Sequence, residues 1–121
     1  MKNEKLEKLI KEYESEEKFK QLDNGMKNLL HTYYCSKNAN NIAGMLIIND
    51  IIWDNELESF VKGLKENDVK ELVFASTWSS AIQVLMYLIE NGYQVAGTIE
   101  YYKDEFLGKT EIRKGIKLVL K

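Results

Sequence analysis

Lys70-Glu71-Leu72-Val73-Phe74-Ala75, then Ser76-Thr77-Trp78-Ser79-Ser80, then an apolar run over residues 81–90, then Asn91-Gly92 and residues 94–102: this stretch decides the fold. Leu72 to Ala75 is a short continuous apolar run with polar ends, which suits a strand covered on both faces. After Ser80, Ile82, Leu85, Met86 and Ile89 recur at helical spacing, and Val84 and Leu88 widen the stripe. A helix apolar over most of its circumference must touch more than one neighbour. It is too short, and too polar at both ends, to span a membrane. Thr77, Ser79 or Ser80 can cap its start, because a hydroxyl oxygen accepts from an otherwise unpaired helix N–H. Gly92 suits the left-handed residue that ends it. Strand, helix and strand joined by short turns predict a right-handed parallel crossover unit.

Working outward, residues 2–34 read as helical. Leu6, Leu9, Ile10 and Tyr13 form one apolar stripe, and Leu22, Met26, Leu29, Leu30 and Tyr33 form another. The break at 15–18, together with Gly25, predicts two helices or one bent helix. Residues 36–41 read as a polar loop and 45–48 as a strand. Asp54 is placed to cap the next helix, with Glu56 and Glu58 in its first turn. Leu57, Phe60, Val61 and Leu64 give that helix its apolar face to about residue 66. After the central unit, Val95, Gly97, Ile99 and Tyr101 alternate with wetter residues, as in a strand with one wet face. Residues 103–114 read as a long polar connection. Residues 115–120 read as a last strand whose Ile116, Leu118 and Leu120 face one way, paired antiparallel to the strand before it.

The expected fold is therefore α/β: a small mixed sheet of about four strands, in the order α-α-β-α-β-α-β-β, covered by helices. It is a single domain over 1–121, with a helical region at 2–34 and an α/β region at 42–121. A net charge of −2 argues against a dedicated nucleic-acid binder and equally against a strongly acidic DNA mimic. Cys35 is the sole cysteine, so no disulfide can form within the chain. The charged start is no apolar signal core, and the expected location is cytoplasmic.

The segments Asp50-Ile51-Ile52-Trp53-Asp54, Lys70 to Ser79 and Asn91-Gly92-Tyr93-Gln94-Val95-Ala96-Gly97 resemble a family of small uncharacterised Firmicutes proteins. Those proteins belong to mobile genetic elements: phages, plasmids and conjugative elements. The resemblance covers roughly residues 45–121. It implies an accessory protein of a mobile element, a setting that includes regulators, adaptors and anti-CRISPR inhibitors of host defence. No catalytic role comes with it.

Several residues could carry chemistry. Ser76, Thr77, Ser79 and Ser80 stand at the carboxyl end of a strand and open a helix, where a parallel sheet usually binds anions or other ligands. The simpler reading is helix capping. No glycine-rich loop or P-loop lysine is present, and no G-x-S-x-G elbow. Asp50, Asp54, Glu56 and Glu58 could hold a divalent cation, although helix capping and solvation explain them more cheaply. His31 and Cys35 share a helix face but make only two ligands where structural zinc wants four. Neither a cofactor nor a metal is called for. Trp53, Trp78, Tyr102 and Phe106 could form a protein-binding patch if they stay exposed.

The leading expectation is a non-enzymatic interaction protein with a protein partner, homodimerisation being compatible with open sheet edges. The competing one is a ligand- or anion-binding domain, catalytic or not, that uses the 76–80 turn with Asp50 or Asp54. A DNA-binding regulator using the basic face of the N-terminal helices is the third.

Overall fold

A computed structural model describes residues 2–121. Three helices come first: α1 (Glu4–Glu12), a single turn α2 (Glu16–Phe19), and α3 (Asn24–Asn38). Then β1 (Leu46–Ile48), α4 (Asp54–Glu66), β2 (Glu71–Phe74), α5 (Ala81–Glu90), β3 (Tyr93–Phe106) and β4 (Lys109–Leu120) follow. The expected mixed four-stranded α/β fold is present, in the spatial order β1-β2-β4-β3. β1 and β2 are parallel, and β4 is antiparallel to both its neighbours. β2 and β3 therefore run the same way, but the crossover through α5 leaves a gap between them that β4 fills.

The helices gather on one face of the sheet. Leu46, Ile48, Leu72, Phe74 and Leu118 point into a core shared with Leu6, Leu29, Tyr33, Phe60, Leu64, Val84 and Leu88. Tyr93 joins this core fully buried, and its hydroxyl donates to the Val69 carbonyl at 2.7 Å. Removal from water pushes its phenol up to about 12. Ile116 and Leu120 pack on the same face as Leu118, as their alternation predicts.

Among the described residues, no helix covers the other face. It holds a smaller cluster of Ile47, Val73 and Tyr101, flanked by Ala43, Met45, Ala75, Ile99 and Tyr102. Two irregularities in β3 build it. One extra residue lies between Val95 and Thr98, and another between Glu100 and Tyr102, relative to β4. Each such bulge bends and twists a strand, and each shifts its alternation by one. Strict alternation would put Val95, Gly97, Ile99 and Tyr101 on one side. The first bulge instead sends Ile99 and Tyr101 to the helix-free face and leaves Val95 behind, 55% exposed. The far half of the β3–β4 hairpin then meets the segment entering β1. The Ile42 N–H donates to the Tyr101 carbonyl at 3.0 Å, and Asn41 bridges Tyr102.

Residues 103–114 are not a long connection. They are the paired ends of β3 and β4, joined by Leu107 and Gly108 alone. Both turn residues have positive φ, 50° and 76°, the pattern of a type I′ hairpin turn. Leucine is an unfavourable occupant of that conformation, and Leu107 is 86% exposed, so packing does not hold it there. Leu107→Asn is expected to raise stability by about 0.5–1 kcal/mol in urea unfolding, asparagine being the easier left-handed residue.

α3 runs four residues beyond its expected end. Ser36 is buried within it, donating to the Thr32 carbonyl (2.8 Å) and accepting from the Ile47 N–H (2.9 Å). A polar residue thereby fastens α3 to the outer edge of β1 and closes one exposed sheet edge. Gly25 does not break a helix. It lies inside the first turn of α3, where that helix crosses α4 so closely that a Cβ would meet the Glu56 carbonyl at 2.5 Å. The helical breaks fall at residues 13–15 and 20–23, each reset by a cap: Ser15 accepts from the Lys18 N–H and Asp23 from the Met26 N–H.

Candidate functional site

The parallel strands β1 and β2 deliver their following loops to one end of the sheet. This is where the sequence placed the candidate residues. Ser76 and Ser80 are half-buried, and Thr77, Trp78 and Ser79 are exposed. Contrary to expectation, no hydroxyl caps α5. Ser80 occupies the cap position but makes no side-chain cap bond. Its backbone explains why. Asn3, Ser15 and Asp23, which do cap helices, are all extended, whereas Ser80 has φ −91° and ψ 5°. An extended cap residue turns its side chain back over the first N–H groups, and a near-helical one does not. None of the principal clefts among the described residues is lined by this turn.

The nearby carboxylates are occupied locally. Asp50 accepts from the Ile51 N–H at 2.8 Å. Trp53, not Asp54, is the cap residue of α4, with extended φ and ψ, and Asp54 sits in the first turn. The cap is closed by Glu56, whose carboxylate accepts from the Trp53 N–H (3.1 Å) and from the Asn28 amide (3.3 Å). This is the returning half of a capping box, so the anticipated cap lies one residue too late in the sequence reading. No principal cleft contains both one of these aspartates and a residue of the 76–80 turn. Among the described residues, no group of three side chains is placed to hold a metal ion. His31 and Cys35 do meet: Sγ lies 3.5 Å from Nε2.

The aromatic candidates divide. Trp53 and Trp78 are 58% and 54% exposed, and Phe106 at the hairpin tip is 72% exposed. Tyr102 is half-buried, with the Arg113 guanidinium 5.3 Å from its ring centre. Tyr93 and Tyr101 are buried.

A larger apolar surface lies next to them on α5. Val84 and Leu88 alone are fully buried against the sheet. Ile82, Met86 and Ile89 remain 65%, 52% and 44% exposed. They form a line at spacings of four and three, one ridge of α5, and exposed Trp78 stands in the turn just before that helix. Val95 on β3 is also exposed, on the face of the sheet that α5 covers. Beyond it the outer edge of β3, from Tyr93 to Glu100, pairs with no strand among the described residues. The sequence marks these side chains as apolar at helical spacing. It does not show that the two neighbours α5 finds, the sheet and α4, leave this side of the helix uncovered.

A family model described as a domain of unknown function, DUF7698, matches residues 28–120. That is most of the chain, and the chain belongs to this family. No curated protein and no solved structure matches it. The matched span takes in the whole sheet, α4, α5 and most of α3, and omits α1 and α2. No helix among the described residues is long and apolar enough to cross a membrane.

Proposed function

We propose, with membership of that family as the premise, that this chain is a non-enzymatic interaction protein that docks a protein partner on the outer ridge of α5. One observation carries the reading. Three long apolar side chains, Ile82, Met86 and Ile89, share one ridge of α5 and stay exposed, with exposed Trp78 in the turn before it, in a domain that buries its other helix stripes. Contiguous apolar surface of this kind is the usual mark of a docking site. Trp78 is the expected anchor, since tryptophan dominates interface energetics. Val95 extends the ridge, and the open β3 edge beside it offers backbone groups to an added strand. The mobile-element resemblance makes a host defence protein the first partner class to test, an anti-CRISPR-like role.

The test is capture of partners by tagged wild type, Ile82→Lys and Met86→Lys in parallel, read by mass spectrometry and then by titration of the purified partner. Because both positions are exposed, the melting temperature is expected to stay unchanged. Binding is expected to weaken by at least about tenfold in each variant. Identical partner sets and affinities for all three proteins would remove the reading. Self-association through the same ridge would show as a dimer in sedimentation that Met86→Lys dissolves.

The second reading is an anion or small-ligand site at Ser76, Thr77, Ser79 and Ser80 with Asp50 or Asp54. The observation favouring it is the uncapped start of α5. A rise in melting temperature on a nucleotide and divalent-metal panel would select it over the first.

A further inference from the structure

At the outer edge of β1, between α3 and the curled hairpin, is a cleft of about 230 Å³ that Ile47 lines. His31 and Cys35 form one wall, Asn49 and Asp50 lie at the carboxyl end of β1, and Tyr102 and Arg113 form the other wall. The end of α3, the end of β1 and the hairpin meet there, with Tyr101 and Tyr102 at the second bulge of β3.

The chemistry of these groups is complementary. The Cys35 Sγ is exposed and lies 3.5 Å from Nε2 of His31, a base within reach of the thiol proton. The Arg113 guanidinium stacks over Tyr102 at 5.3 Å, and its Nε donates to Glu111 at 3.3 Å. Its terminal nitrogens have no protein partner among the described residues. They form the fork that recognises carboxylates. The cleft thus pairs a nucleophile and base with a carboxylate receptor, in a volume below that of a drug-sized pocket.

We propose that this cleft takes a small disulfide bearing carboxylate groups, and that Cys35 exchanges with it to leave a mixed disulfide on the protein. His31 accepts the thiol proton. The Cys35 sulfur attacks one sulfur of the ligand, a new S–S bond forms, the ligand's own S–S bond breaks, and the departing thiolate takes the proton from His31. Cys35 is oxidised and half of the ligand is reduced, so no further oxidant is needed. Cys35 is the sole cysteine of the chain. The adduct therefore has no second thiol of the chain to resolve it, and it persists until an external thiol removes it. Arg113 holds the ligand's carboxylate.

The experiment follows mass gain of the intact chain with 3,3′-dithiodipropionate, which carries a carboxylate on each half, and with 2-hydroxyethyl disulfide, which is of similar size and neutral. The same chain unfolded in urea is the baseline for each reagent. The folded chain is expected to react faster than its baseline, and more so with 3,3′-dithiodipropionate. Arg113→Gln is expected to slow the carboxylate reagent by about two- to fivefold, the size of a half-exposed ion pair, with the neutral reagent unchanged. Arg113→Lys, which keeps the charge, is expected to recover part of that loss. His31→Gln is expected to slow both reagents by about tenfold at pH 7 and by much less at pH 9, where thiols ionise unaided. Two results would each overturn the proposal: folded-chain rates no higher than the baseline for both reagents, or a rate ratio that Arg113→Gln leaves unmoved.

Discussion

Gly25→Ala is expected to lower the melting temperature by about 8 °C, from a loss of about 2 kcal/mol. Two effects oppose each other at this position. Alanine gains up to about 1 kcal/mol of helix propensity over glycine. Against it, the added Cβ would stand 2.5 Å from the Glu56 carbonyl oxygen, 2.6 Å from the Ser59 Cβ and 2.9 Å from the Phe60 N. Two of these are backbone atoms of α4, so relief requires the helices to move apart. That opens the packing of Leu29 and Phe60, both fully buried. The control is Gly63→Ala on the facing helix. Its Cβ would meet the Leu29 Cδ2 and the Met26 Sδ, each at 2.7 Å. These are ends of flexible side chains that can swing aside, so the net change there should stay within about 1 kcal/mol of zero. Thermal unfolding of both variants decides the matter. An alanine at 25 that melts at or above wild type would show that the α3–α4 crossing has slack.

Tyr93→Phe is expected to cost about 1–2 kcal/mol at pH 7, by leaving the Val69 carbonyl without its hydroxyl donor. A larger contrast is expected at high pH. Burial raises the folded phenol to about 12, while an unfolded tyrosine ionises near 10. The folded state therefore keeps a proton that the unfolded state gives up. The contribution is fully present below pH 10, falls as pH rises towards 12, and levels off above. Across that window wild type should lose about 2–3 kcal/mol that the phenylalanine variant keeps. Urea unfolding of the two proteins at pH 7, 10 and 12 measures it. Parallel pH curves would mean that the Tyr93 hydroxyl reaches water in the folded protein.

The central crossover was legible because its signals are local. Leu72 to Ala75, the apolar run after Ser80, and Asn91-Gly92 each announce their own structure, and α5 begins and ends where they say. α4 was legible from the spacing of Leu57, Phe60, Val61 and Leu64. The hairpin was not, because beyond Tyr102 both faces of a two-stranded ribbon are wet, and no apolar period survives to be read. Its turn carries Leu107 where asparagine would signal it. Bulges have no period at all, so the side to which Ile99 and Tyr101 point could not be counted from Val95. Ser36 was hidden for the opposite reason: a lone serine in a polar run looks like a loop, and only its two buried hydrogen bonds reveal an anchor. The site shows the same split. Trp53, Trp78 and Phe106 stand out as aromatics and are exposed. That Ile82, Met86 and Ile89 lack a neighbour is a property of the assembled sheet, not of their spacing.

The place of β4 has a consequence for how the protein is made. Residues 109–120 are translated after every other element described, yet they form the strand that joins β2 to β3. While the ribosome still holds them, β1 and β2 can pair but β3 has no partner, and the face that α5 should cover is incomplete. The sheet is thus completed only when the β4 segment is free to pair and joins β3 to the β1–β2 pair. A chain that stopped before Lys109 would not be a slightly weakened protein. It would be a two-stranded fragment with apolar helices exposed, which is the kind of species proteases remove.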